Sequence, residues 1–394
     1  MSTILPEAHW LMSAGAADVE PARLRELAAP GLHWGRLLAL AEYERAFPFV
    51  TDRLRESGID LPPEVARQVR SRAAVAEFSI GRLHGVLEQV VARLEGAGID
   101  VLLLKGAALS RTRYAQRRLR AMGDLDLLIR AAQLVAARDL LLADGWRCPD
   151  DPQLDELYRD HHHLPPMHDP RGAGATLELH GDLFFRGNPF GFGAASVWRN
   201  AIRVPVGRAT AWVPSASHLL LHACIHFSWG HSMREGGWTA FRDVSVLATA
   251  ADLDWDGFVD EAIEAKATTA CYWTLRLASR LMHAPVPDGV LERLSPARPQ
   301  AVLERLTTHF AARLLGAAVP PVRLERAIWD FAMEPGRCGH GEVRPWDRND
   351  DFEPTSPAAP TEETVADRTL RQFSAIRQST RCLSELAFAP RLEL

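Results

Sequence analysis

Apolar residues recur at spacings of three and four through WGRLLALAEYERAFPFV and again through AVAEFSIGRLHGVLEQVVARLEGAGI. That period predicts helices over residues 7–95. Pro62-Pro63 punctuates the interval and suits a first helical turn, while Gly96 and Gly98 close the second stretch. The pattern then changes. Residues 99–104 form a short apolar run ending at Lys105-Gly106, the signature of a buried strand. Residues 124–129 begin with strict polar/apolar alternation, AAQLVAARDLLLADG returns to a helical period, and residues 175–183 alternate at period two. After Pro214 helices are expected through SASHLLLHACIHFSW and over 239–251, 254–284 and 299–315. No internal repeat is visible. The expected fold class is α+β: a small mixed sheet at 97–215, between an N-terminal helical region (1–96) and a C-terminal helical domain (216–334). A Gly- and Pro-rich, then acidic stretch at 335–361 is expected to be a linker, followed by a last amphipathic helix over 362–394.

Composition narrows the class. The 394 residues carry 45 basic and 50 acidic side chains, a formal net charge of −5, and 47% are hydrophobic. This is a folded chain rather than a disordered one, and its charge disfavours a generic cationic nucleic-acid binder. All basic residues but Lys105 and Lys266 are arginine. Arginine and lysine differ where geometry is demanding, so a surviving lysine draws attention. Five scattered cysteines without a CxxC pair are expected to be reduced thiols. The N-terminus lacks a signal-peptide pattern, and no apolar run reaches about 18 residues, so a cytoplasmic protein without a membrane partner is expected.

The chemistry-bearing residues cluster in three stretches: Leu104-Lys105-Gly106-Ala107-Ala108-Leu109, then Arg120-Ala121-Met122-Gly123-Asp124-Leu125-Asp126, then Leu177-Glu178-Leu179-His180. On a strand, Asp124 and Asp126 project from one face. With Glu178 on a neighbouring strand, three carboxylates would repel unless a cation sat among them. Hard oxygen ligands favour Mg²⁺, and two such ions can clamp an in-line phosphoryl displacement. Gly106 lets backbone amides approach a phosphate, Lys105 offers a compact cation, and Arg120 a planar fork.

KGAAL, then R-x-M-G-D-L-D-L-L, then L-E-L-H, resembles the uncharacterised nucleotidyltransferases of the DNA-polymerase-β-like superfamily. The resemblance extends over about residues 30–285 and takes in LLLHACIH and F-R-D-V-S-V-L. It implies that Asp124, Asp126 and Glu178 are catalytic metal ligands, for two Mg²⁺ ions. It implies a nucleotide-binding set of Lys105, Gly106, Ser110, Arg120, Gly123 and His180. Where the superfamily usually has Gly-Gly or Gly-Ser, this chain has Gly106-Ala107-Ala108, so a hydroxyl's role would pass to backbone amides, Lys105 or Ser110. The implied activity is Mg-dependent transfer of an NMP from an NTP to an acceptor hydroxyl on a small molecule or protein, nucleic acid being less favoured. The rival is a catalytically weakened nucleotide-binding or protein-interaction module, antitoxin-like or a scaffold.

Other signals have blander readings. His161, His162, His163 and His168 lack regular zinc-ligand spacing, and a loop-positioning role is favoured. His218, His222 and His226 line one helix face without an HExxH glutamate, and are expected to close over a nucleotide or to make buried hydrogen bonds. Arg242-Asp243 is expected to form a structural ion pair at least as readily as an acceptor site. Most of the 11 tryptophans are expected to pack in the core.

Overall fold

The computed structural model describes residues 5–28, 31–149, 158–172, 174–316 and 322–333. The expected linker at 335–361 and helix at 362–394 lie outside the described residues. The apolar spacing of the first hundred positions becomes five helices: α1 (Pro6–Gly15), α2 (Pro21–Leu27), α3 (Trp34–Tyr43), α4 (Phe47–Ser57) and the long α5 (Pro63–Glu95). Four of them open on a proline in the first turn, where the missing N–H costs nothing, and α5 stops at Gly96 as the sequence predicts.

The sheet follows. It comprises β1 (Val101–Leu103), β2 (Asp124–Ile129), β3 (Met167–His168), β4 (Thr176–His180), β5 (Ile202–Val206) and β6 (Ala209–Val213), in the order β3-β4-β2-β1-β6-β5 among the described residues. β2 runs antiparallel to β1 but parallel to β4, so the sheet is mixed, as expected. The β5–β6 hairpin and the short β3 were not anticipated. The hairpin's signal was present, since IRVPV and ATAWV flank a two-residue Gly207-Arg208 turn. The third predicted strand is shorter than its alternation suggests and ends at His180.

α6 (Lys105–Thr112) packs over β2, α7 (Leu134–Ala143) over β4, and α5 crosses β1, β5 and β6. After α8 (Ala194–Arg199) come α9 (Ala216–Ile225), a widened π-type turn over His226–Gly230, and α10 (Gly237–Ala248). The single helix expected over 254–284 is two, α11 (Trp255–Glu264) and α12 (Thr268–Met282). They are separated at Lys266, whose φ of 55° is left-handed. The N–H groups of Lys266 and Ala267 return to the carbonyls of Ile263 and Ala262, a closed helix end. Then come α13 (Asp288–Leu294), α14 (Gln300–Leu314) and α15 (Val322–Met333).

The two helical regions do not merely flank the sheet. α1 packs against α10 and α12, with the Trp238 indole N–H donating to the Leu11 carbonyl at 2.9 Å. One apolar cluster runs from α1 through β1, β2 and β4 to α15. This closure brings the end of α3 opposite α9 and α10, over the carboxyl end of β1 and the start of β2. No helix among the described residues is long and apolar enough to cross a membrane.

Candidate active site

Alternation along β2 sends Leu125, Leu127 and Ile129 into the core, all fully buried, and leaves Asp124 and Asp126 on the opposite face. The register of β2 with β4 sets Asp126 beside Glu178 and Leu128 beside His180. The carboxylates of Asp126 and Glu178 and the imidazole of His180 thereby present ligand atoms within 4.8 Å of one another. Asp124 shares the face but lies outside that group.

Lys105 completes the centre. Its φ of 42° is left-handed, an uncommon conformation for a residue with a side chain. The kink converts β1 into α6 and brings the ammonium to 2.7 Å from Asp126 Oδ1. His180 Nε2 reaches the same oxygen at 3.0 Å and approaches Glu178 at 3.5 Å. Burial would raise the Asp126 carboxyl, but Lys105 and His180 overcome it and hold the group well below its ordinary range. Burial likewise opposes the charge on Lys105 and on His180, yet the surrounding carboxylates raise both. Asp124 is pushed up by burial and by the charge of Asp126.

These residues form one wall of a cavity of about 440 Å³, within the size range of small-molecule sites. The other walls are Tyr43, Glu44 and Arg45 after α3, Leu219, His222 and Ala223 of α9, and His226 and Phe227 of the π-type turn. His231, Glu235 and the first two turns of α10 complete the lining. π-type turns recur at functional sites because the extra residue re-aims side chains. Burial, then Lys105 and His180, lower His222 to about 3, and burial with Lys105 holds His226 well below its ordinary value. Both are neutral rings facing the acids. His218, the third of the stripe, instead approaches Glu261 at 3.6 Å and packs on Phe192.

The structure rearranges several expectations. Arg120, taken from sequence as a phosphate fork, is already engaged. Its Nε donates to Asp243 at 2.7 Å, a second nitrogen to the other carboxylate oxygen at 2.9 Å, and a third to the Ala121 carbonyl. Tyr114 donates to the same Asp243 at 2.7 Å. The partner of Asp243 is thus Arg120, and Arg242 instead donates to the Gly15 carbonyl and stacks on Phe49. Gly106 lines the cavity, but a side chain there would also meet Met122 Cγ at 2.7 Å and Arg120 at 3.1 Å. Ser110, expected on the nucleotide side, is fully buried and faces the Ala107 carbonyl of its own helix. It does not line the cavity, lying one turn farther along α6 than Gly106. Gly123 and His180 lie behind the lining, with His180 only 1% exposed. Among the described residues no tryptophan faces the cavity, and the non-histidine aromatics there are Tyr43 and Phe227. The His161 and His162 rings stack, His163 meets both edge-on, and His162 and His163 pack against His180, to which His163 also bridges by its backbone, so this loop packs behind the acids. Glu44, Arg45 and Glu235 were missed because they come from helical segments distant in sequence from the motifs, whereas Asp243 was singled out but with Arg242 as its partner. Only the closure of the helical segments over the sheet makes all four line one cavity.

The residues present fit a divalent cation. Among the described residues six carboxylates line the cavity against three cationic side chains, an excess that a bound cation would offset for a polyphosphate. The carboxylates of Asp126 and Glu178 are the hard oxygen donors that suit Mg²⁺ or Mn²⁺, while the His180 imidazole beside them is engaged with both acids. A mixed sheet that presents two spaced carboxylates on one strand and a third on its neighbour, opposite a Lys–Gly turn, belongs to the nucleotidyl- and phosphoryl-transfer class. The family profile described as an uncharacterised nucleotidyltransferase matches residues 30–283, well over half the chain. The chain belongs to that family. Comparisons with curated proteins and with solved structures find no match.

Proposed function

We propose that the protein is a Mg-dependent nucleotidyltransferase that transfers an NMP from an NTP to an acceptor hydroxyl on a small molecule or protein. The observation that carries this reading is the convergence of Asp126, Glu178 and His180 beside Lys105 in an acid-rich cavity. The acceptor oxygen attacks the α-phosphorus, the bond from that phosphorus to the bridging oxygen breaks, and pyrophosphate leaves with the electron pair. A bound divalent ion would polarise the α-phosphate and offset developing charge. Asp126 and Glu178 would hold it, and Asp124, on the same strand face, is the residue left for a second ion. Lys105 keeps Asp126 ionised and adds a compact cation. Glu178, at the cavity wall, is the carboxylate nearest in role to a base for the acceptor proton. His180 fixes the orientation of both acids from behind.

A weakened nucleotide-binding or interaction module is the second reading, favoured by one observation: Lys105 and His180 already occupy Asp126 Oδ1. α-Labelled ATP, GTP, CTP and UTP incubated with Mg²⁺ and host lysate separate the two. Transfer of label by the wild type, lost in Asp126→Asn and Glu178→Gln proteins that keep a native circular-dichroism spectrum, supports the enzyme. Binding of an NTP without transfer supports the module. Full transfer by either variant refutes the assignment of its carboxylate.

A further inference from the structure

We propose that Arg45 receives the β- and γ-phosphates of the NTP and therefore the departing pyrophosphate. The inference rests on the nucleotidyl-transfer reading above and names the anion-holding residue that reading still lacks. Among the described residues three side chains bring positive charge to the cavity wall: Arg45, Lys105 and Arg120. Lys105 is held by Asp126, and Arg120 is held by both oxygens of Asp243 and by a backbone carbonyl. The Arg45 guanidinium makes no hydrogen bond or ion pair with the described residues, and the residue is exposed where it lines the cavity. Its fork is therefore available to a ligand, whereas the other two would have to give up a buried carboxylate first.

Two independent features aim it. The first is the backbone. Arg45 follows the end of α3 with φ 55°, a left-handed conformation in which glycine would be strain-free. Its own N–H returns to the Glu42 carbonyl, and the next residue's N–H to the Ala41 carbonyl at 2.7 Å, so the turn is fixed just before buried Phe47. The second is Gly123. A Cβ there would collide with the Arg45 guanidinium, so the absent side chain is the seat on which the guanidinium lies. That seat adjoins Asp124, which feels the Arg45 charge, and faces the Gly106 end of α6. A guanidinium matches two phosphate oxygens at once, and its charge would offset what accumulates on pyrophosphate as the α–β bond breaks.

The test uses the full chain and titrates Mg-pyrophosphate, the four Mg-NTPs and the four NMPs into wild type, Arg45→Gly, Arg45→Lys and Gly123→Ala. Arg45→Gly suits the left-handed backbone, so it should fold as well as wild type, which a thermal melt checks. Pyrophosphate and the preferred NTP should bind about 10- to 100-fold more weakly to Arg45→Gly, with NMP binding unchanged. Arg45→Lys should recover part of the loss, and Gly123→Ala, by crowding the seat, should reproduce part of it. Pyrophosphate binding to Arg45→Gly within about twofold of wild type overturns the role of Arg45 and leaves the nucleotidyl-transfer reading intact. Equal loss of NMP and NTP binding also overturns it, since the contact would then lie at the α-phosphate or nucleoside. A wild type that binds neither pyrophosphate nor any NTP refutes the underlying reading, and the proposal falls with it.

Discussion

Substituting Asp243 by alanine would strand Arg120. The guanidinium is 12% exposed and the carboxylate 5%, and two nitrogens of Arg120 meet both oxygens at 2.7 and 2.9 Å. The Tyr114 hydroxyl donates to the same carboxylate. Breaking a buried pair by removing one partner costs about 3–5 kcal/mol, because the remaining charge keeps its desolvation penalty. The lost tyrosine bond adds about 1 kcal/mol. Asp243→Ala should therefore lower the unfolding free energy by about 5 kcal/mol, and Tyr114→Phe by about 1 kcal/mol. Arg120→Met with Asp243→Leu should cost less than Asp243→Ala alone, since no charge is left unpaired. Urea titration followed by circular dichroism measures all three, with an unchanged slope confirming that the unfolded state is comparable. A loss below about 1 kcal/mol in Asp243→Ala, together with a strong fall in NTP affinity, would refute the reasoning. Arg120 would then be a phosphate ligand, as its place in the motif suggests, rather than the latch between β2 and α10.

The other expectations concern the cavity wall. Lys105→Arg, trivial on a solvated surface, should weaken NTP binding about tenfold or more, because a wider guanidinium cannot take the place of an ammonium 2.7 Å from Asp126 on a left-handed backbone; wild-type affinity in a calorimetric titration would reduce Lys105 to a chance ion-pair partner. Burial, and then the neighbouring charge of Glu235, raise Glu44 from 4.5 to about 7, against a Trp238 backbone N–H that lowers it. The folded state then binds more protons than the unfolded one between those values. The stability this contributes is present in full below about 4.5 and is lost as pH rises through about 7, up to about 3 kcal/mol. Glu44→Gln should accordingly melt higher than wild type at pH 8 and no higher near pH 4.5, and a pH-independent difference would contradict the burial of an unpaired carboxylate.

The motifs were legible because their spacing translates directly into geometry. Asp124 and Asp126, two apart on a strand, must share a face, and the alternation of TLELH puts Glu178 and His180 on one face too. The mixed sheet between helices and the end of α5 at Gly96 followed from period and punctuation alone. The β5–β6 hairpin is equally legible in the alternation around Gly207-Arg208, beyond the last strand expected from sequence. Lys266 shows the opposite limit: EAIEAKATTA has a helical composition throughout, and only the packing of α11 against α12 decides that the chain turns there.

Sequence by itself determined the acids, the Lys–Gly turn and the family, because each depends on residues close together along the chain. Tertiary structure decided the charge partners. Asp243 lies 123 positions from Arg120, and Arg45 lies 78 positions before Gly123, so no local period could pair them. A guanidinium and a carboxylate find one another by Coulomb attraction in a low-dielectric interior, a force that depends on distance in space and not along the chain. That is why Arg120, prominent in the motif, is occupied, while Arg45, in an unremarked helix end, is the cation that the described residues leave facing the cavity.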